Sequence, residues 1–77
     1  MPKWSPCKRK DFIRHMRQLG FEGEYQGAKQ AFMVKSQDRL TLPSNAEYSV
    51  SQLKMMLREV SEIIGPEIGL DEWKKLS

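Results

Sequence analysis

The chain is 77 residues long, 39% apolar and 30% charged, with no low-complexity block, which describes one small globular domain over 1–77 and excludes two. A chain of this size buries only about 60 to 65% of its unfolded surface, so there is no room for a large enclosed cofactor cavity and its work is done on its surface. The net charge of +3 conceals an asymmetry: residues 1–40 carry nine Lys or Arg against four acids, and residues 41–77 carry four against six.

In 5–19 the apolar residues Phe12, Ile13, Met16 and Leu19 recur every three or four positions, the stripe of an amphipathic helix. Ser5 as N-cap with Pro6 at the first helical position, or a start at Cys7, suits its beginning, and Gly20 suits the left-handed position after its last turn. Lys8, Arg9, Lys10, Arg14 and Arg17 occupy its other faces. This basic array fits either a polyanion partner, through release of counterions from phosphates, or a solvated helix face.

After Gly20 the period shortens to two. Phe21 and Tyr25 fall at strand spacing, Gln26-Gly27-Ala28 reads as a turn, and 29–35 reads as a second strand. Its expected phase sends Gln30, Phe32 and Val34 inward and Lys29, Ala31, Met33 and Lys35 to the open face. Ser36-Gln37-Asp38 reads as the next turn, and Arg39-Leu40-Thr41-Leu42 as a third strand with both leucines inward, ended by Pro43.

Ser49 and Gln52 have the spacing of a capping box, and Tyr48 with Leu53 that of a hydrophobic staple. A stripe of Val50, Leu53, Met56, Leu57, Val60, Ile63 and Ile64 then predicts a long helix that ends before Gly65-Pro66. Leu70 to Leu76 predicts a short terminal helix, acidic in its first turn and basic in its last, docked by Trp73 and Leu76. The expected class is α+β: helix, three antiparallel strands, helix and a helical tail, with both long helices on one sheet face. Lys29, Ala31, Met33, Lys35, Arg39 and Thr41 would then face outward, with Met33 and Met55 as apolar contacts for a protein partner.

One cysteine and one histidine exclude an internal disulfide and fall short of a zinc site of three or four Cys and His ligands, so no metal or other cofactor is expected. No apolar run reaches the ~20 residues needed to span a bilayer, so no membrane role and a cytoplasmic location are expected. Cys7 reads as a helix-start residue, His15 as a surface helix histidine, and Trp4 as partial cover for a small core. The carboxylates Glu59, Glu62, Glu67, Asp71 and Glu72 read as solvated helix faces.

Lys10-Asp11-Phe12-Ile13-Arg14, Leu19-Gly20-Phe21, Gly27-Ala28-Lys29 with Phe32-Met33-Val34, and Arg39-Leu40-Thr41-Leu42-Pro43 resemble the HicA family of bacterial toxins over roughly residues 7 to 60. The resemblance implies an α-β-β-β-α fold like that of double-stranded-RNA-binding domains. It also implies a metal-independent endoribonuclease acting on mRNA, within a type II toxin–antitoxin system, silenced by an antitoxin of the HicB family. In that family a catalytic histidine follows the hairpin glycines, as Gly-Gly-Lys-His or Gly-Ser-His. Here the stretch is Gly27-Ala28-Lys29-Gln30, so Gln30 stands in the histidine position and Lys29 in the position that contacts the scissile phosphate.

Metal-free RNA cleavage needs a group that exchanges a proton with the ribose 2′-hydroxyl near neutral pH, which imidazole does and a carboxamide does not. The expectation is therefore a toxin fold that binds RNA through Lys8, Arg9, Lys10, Gly27, Lys29 and Lys35 with impaired catalysis at Gln30. The alternative is a non-catalytic module that binds RNA or the antitoxin.

Overall fold

The computed structural model describes residues 3–76. Its elements run β1 (Cys7–Lys8), α1 (Arg9–Gln18), β2 (Glu22–Gln26), β3 (Ala31–Lys35), β4 (Asp38–Leu42), β5 (Glu47–Tyr48), α2 (Val50–Ile64) and α3 (Leu70–Lys75). β2, β3 and β4 form an antiparallel meander with β3 central, and β1 pairs with β5 in a separate two-stranded ribbon. The class is α+β, as the sequence leads one to expect.

α1 ends as expected. Gly20, at φ 99°, follows the last turn; its N–H donates to the Arg17 carbonyl at 3.1 Å and that of Phe21 donates to Met16 at 3.1 Å. These are the two bonds of a Schellman motif, and Phe21 and Met16, which it brings together, are both buried. The start differs from expectation. Ser5 and Pro6 lie outside the helix, and Lys8 is the N-cap without any side-chain bond. Cys7 belongs to β1, opposite Tyr48, and the Arg9 N–H donates to the Ala46 carbonyl at 2.9 Å. A backbone carbonyl from the β4–α2 connection thus satisfies one of the first-turn N–H groups that have no partner within the helix.

α2 begins at Ser49, whose hydroxyl accepts from the Gln52 N–H at 3.2 Å. The Gln52 carboxamide donates to Asn45 Oδ1 instead of returning to the cap, so half of the capping box forms. Its stripe buries Leu53, Met56, Leu57 and Val60. The Ser61 hydroxyl donates to the Leu57 carbonyl at 2.9 Å and accepts from the Ile68 N–H at 3.1 Å, which folds the 65–69 segment back along α2. α3 then lays Trp73 against Phe12 and His15, at centroid distances of 5.9 and 4.3 Å. The Tyr48 ring meets the other side of Phe12 edge-on at 5.6 Å, and its hydroxyl donates to the Pro43 carbonyl.

The phase of β3 is opposite to the expected one. Ala31 and Met33 are buried, Met33 completely, while Phe32 and Val34 are only partly covered. The cause is the 36–37 turn, which pairs Lys35 with Asp38 and so Met33 with Leu40 and Ala31 with Leu42. A register change of one residue exchanges every side chain between faces. Met33 is therefore a core residue and no contact for a partner. The open face carries Phe32, Val34, Arg39 and Thr41.

Tyr25 departs in the same way. Glu22 opposes Val34 and Tyr25 opposes Phe32, so three steps on β2 match two on β3 across a bulge at Gly23 and Glu24. The extra residue turns Tyr25 outward, 45% exposed, whereas Phe21 is buried.

Candidate functional site

The stretch that holds Lys29 and Gln30 is a tight turn joining β2 to β3. The Gly27 N–H donates to the Gln30 carbonyl at 3.0 Å. A Cβ at position 27 would stand 2.5 Å from that oxygen, so the close approach requires glycine. Both Lys29 and Gln30 are exposed, and among the described residues neither side chain makes a hydrogen bond or ion pair.

The turn forms one wall of a shallow depression of about 240 Å³, with Phe32, Arg39 and Thr41 on the other side. The Arg39 guanidinium lies 4.6 Å over the Phe32 ring, a cation–π contact that also fixes its direction. The charged groups lining the depression are Lys29 and Arg39, both cations. No imidazole or carboxylate lines it.

The other RNA-contact candidates divide by position. α1 packs beside β2, with Arg9 reaching Glu24 and Arg17 reaching Gly23, and no residue of 8–10 lines the depression at the 27–30 turn. Lys8 and Lys10 are exposed. Arg9 is engaged: its guanidinium pairs with the Glu24 carboxylate, and that bond is the main cause holding its pKa above the ordinary value. Lys35 lies at the opposite end of β3, its Nζ folded over Gly20.

The remaining cations of α1 also serve the fold. Arg17 donates twice to the Gly23 carbonyl, at 3.1 and 2.9 Å, and Arg14 pairs with Asp11 at 3.3 Å. Of the basic array read from the sequence, Arg9 and Arg17 tie α1 to β2, Arg14 pairs within the helix, and Lys8 and Lys10 are left to solvent.

His15 is on the helical side of the sheet, partly buried under Trp73 instead of on the surface, and its Nδ1 is buried with no hydrogen-bond partner among the described residues. Burial first, and Arg14 second, push its pKa below the ordinary value. Cys7 is a buried free thiol whose pKa burial, helped by Asp11, pushes up to about 11. Neither faces the 27–30 turn.

A larger open groove of about 650 Å³ lies between Trp4, α2 and the 65–70 segment, with the Lys54 ammonium 6.0 Å above the Trp4 ring. Among the described residues no group of three or more His, Cys, Asp or Glu is placed to hold a metal ion. No helix among them is long and apolar enough to cross a membrane. Comparison with family models, with curated proteins and with solved structures finds no match to the chain.

Sequence reasoning missed Phe32 and Tyr25 as members of this surface. The signal that places Phe32 outward is the length of the 36–37 turn: a two-residue hairpin loop, with Ser36 at φ 57°, sets Met33 opposite Leu40.

Proposed function

We propose that the chain is an RNA-binding domain of the HicA toxin type whose ribonuclease chemistry is silenced at Gln30, held in check by an antitoxin of the HicB type. The observation that carries this reading is the site of Gln30. It is exposed at the end of a tight turn, beside Lys29, and lines a shallow depression together with Arg39.

Two cations there suit a phosphodiester, and they would stabilise the charge that develops on it during transesterification. A histidine at position 30 would add the missing proton exchange with the 2′-hydroxyl. Glutamine hydrogen-bonds the same groups but has no basic or acidic group that titrates near neutral pH, which removes a contribution of about 10²- to 10⁴-fold.

The succession α1, β2, β3, β4, α2 supports the double-stranded-RNA-binding-like fold that the resemblance implies, with the β1–β5 ribbon and α3 as additions. Such a toxin acts in the cytoplasm and without a metal. For the antitoxin, Met55 on α2 offers apolar surface at 57% exposure.

The test is cleavage of a labelled mRNA in EDTA by the chain as it stands and by Gln30→His, with binding recorded in parallel. Both proteins are expected to bind and only the histidine variant to cut. Absence of binding by both, at low salt, would overturn the reading and leave antitoxin binding as the function.

A further inference from the structure

Three planar groups lie together on the open sheet face beside the 27–30 turn. Tyr25 on β2 and Phe32 on β3 are cross-strand partners, with ring centroids 5.7 Å apart and planes inclined at 39°. Arg39 on β4 lies over the Phe32 ring, 4.6 Å from its centroid. Together they cross all three strands of the meander.

This arrangement depends on an irregularity in the chain. Unbroken alternation from the buried Phe21 would send Tyr25 into the core; the bulge in β2 re-aims it outward, opposite Phe32. The fold thereby presents to solvent a tyrosine that regular alternation would bury. Among the described residues Arg39 has no ion pair, and Lys29 stands unpaired at the rim of the same depression.

An exposed tyrosine ring beside a half-buried phenylalanine and two cations without ion pairs matches an unstacked nucleobase and its phosphates. Every base has a π-face for an aromatic side chain, and each such stack contributes about 1 to 3 kcal/mol. A duplex offers only phosphates and 2′-hydroxyls here, because its base faces are already stacked on one another.

We propose that Tyr25, Phe32 and Arg39 form a base-stacking platform that restricts the RNA ligand to single strands. One unpaired base lies on Tyr25 and Phe32, and its phosphates meet Arg39 and Lys29. This deepens the RNA-binding reading given above and rests on it. The platform also gives the turn a direction: a base held on Tyr25 and Phe32 leaves its neighbouring phosphodiester at Lys29 and Gln30.

The experiment is fluorescence anisotropy at one fixed low salt, with a labelled single-stranded RNA and a duplex of the same sequence as probes. The proteins are the chain as it stands, Tyr25→Phe, Tyr25→Leu and Tyr25→Ala, each checked for its native circular dichroism. The unaltered chain is expected to prefer the single strand. Tyr25→Ala and Tyr25→Leu are expected to weaken single-strand binding about 5- to 150-fold, with Tyr25→Phe within about twofold and duplex binding unmoved in all. Tyr25→Leu keeps the bulk and apolar character of the side chain, so its loss reports stacking separately from folding.

Equal affinity of the unaltered chain for duplex and single strand, or undiminished single-strand binding by Tyr25→Ala and Tyr25→Leu, would overturn the platform while RNA binding itself stands. No binding of either probe by the unaltered chain would overturn the RNA-binding reading, and the platform with it.

Discussion

Replacing Met33 by alanine tests the inward phase of β3 directly. Met33 has no solvent exposure and sits opposite Leu40 on the face that the helices cover. Removing its side chain leaves a cavity between sheet and helices, and large-to-small changes of this kind cost about 2 to 5 kcal/mol. At about 0.05 to 0.15 kcal/mol per residue the whole domain is stable by about 4 to 12 kcal/mol. A mid-range loss of about 3 kcal/mol therefore takes away a quarter or more of its stability and lowers Tm by about 12 to 24 °C. Val34→Ala is the matched control. That residue keeps contact with water on the open face, so its truncation is expected to cost under about 1 kcal/mol. Urea denaturation of the two variants beside the unaltered chain, with an unchanged m-value as the sign of an intact two-state transition, gives both numbers. A larger loss for Val34→Ala than for Met33→Ala would refute the register and the face assignments that follow from it.

Two further expectations concern the buried titratable groups. The folded state holds the His15 pKa below the ordinary value of 6.5, so around and below that pH the unfolded chain binds more protons. Stability is then full above about pH 6.5 and falls as the pH drops through the folded pKa; Tm measured from pH 7.5 to 5.5 is expected to decline, and His15→Gln to flatten the decline, with equal slopes for the two proteins counting against it. Cys7, with its pKa near 11, holds about a hundredth of the thiolate of an ordinary cysteine at pH 8; iodoacetamide is expected to label the native chain at least tenfold more slowly than the urea-unfolded chain, and equal rates would contradict its burial.

The elements were legible in the sequence because each had local chemistry to declare it. The stripe of α1, the Gly20 stop, the Ser49 cap and the stripe of α2 are set by neighbours within a turn or two, and all four are found in the structure. What could not be read locally was phase. Taking 36–38 as a three-residue turn puts Val34 opposite Leu40, whereas the two-residue turn puts Met33 there, and that single step decides whether methionine or phenylalanine faces out. The bulge in β2 hid Tyr25 by the same arithmetic.

The start of α1 was missed for a different reason. Its N-terminal N–H is served by Ala46 and its preceding residue pairs with Tyr48, both remote in sequence. At the candidate site, the turn with Lys29 and Gln30 was visible, while its opposite wall depended on the misread phase. The commitments of Arg9 to Glu24 and Arg17 to Gly23 are tertiary contacts, so composition counted as free charge what the fold spends internally.

The β1–β5 ribbon bears on how the chain closes. Most other pairings are short-range: the α1–β2 corner and the two hairpins assemble from near neighbours. Among the described residues the ribbon alone joins strands about forty positions apart, and closing a loop of that length costs about 3 kcal/mol of chain entropy. Two residue pairs do not repay that. The return comes when Tyr48 reaches Phe12 and Cys7 enters the core. In contact-order terms the ribbon is the clasp of the domain, the strand pairing with the longest loop to close.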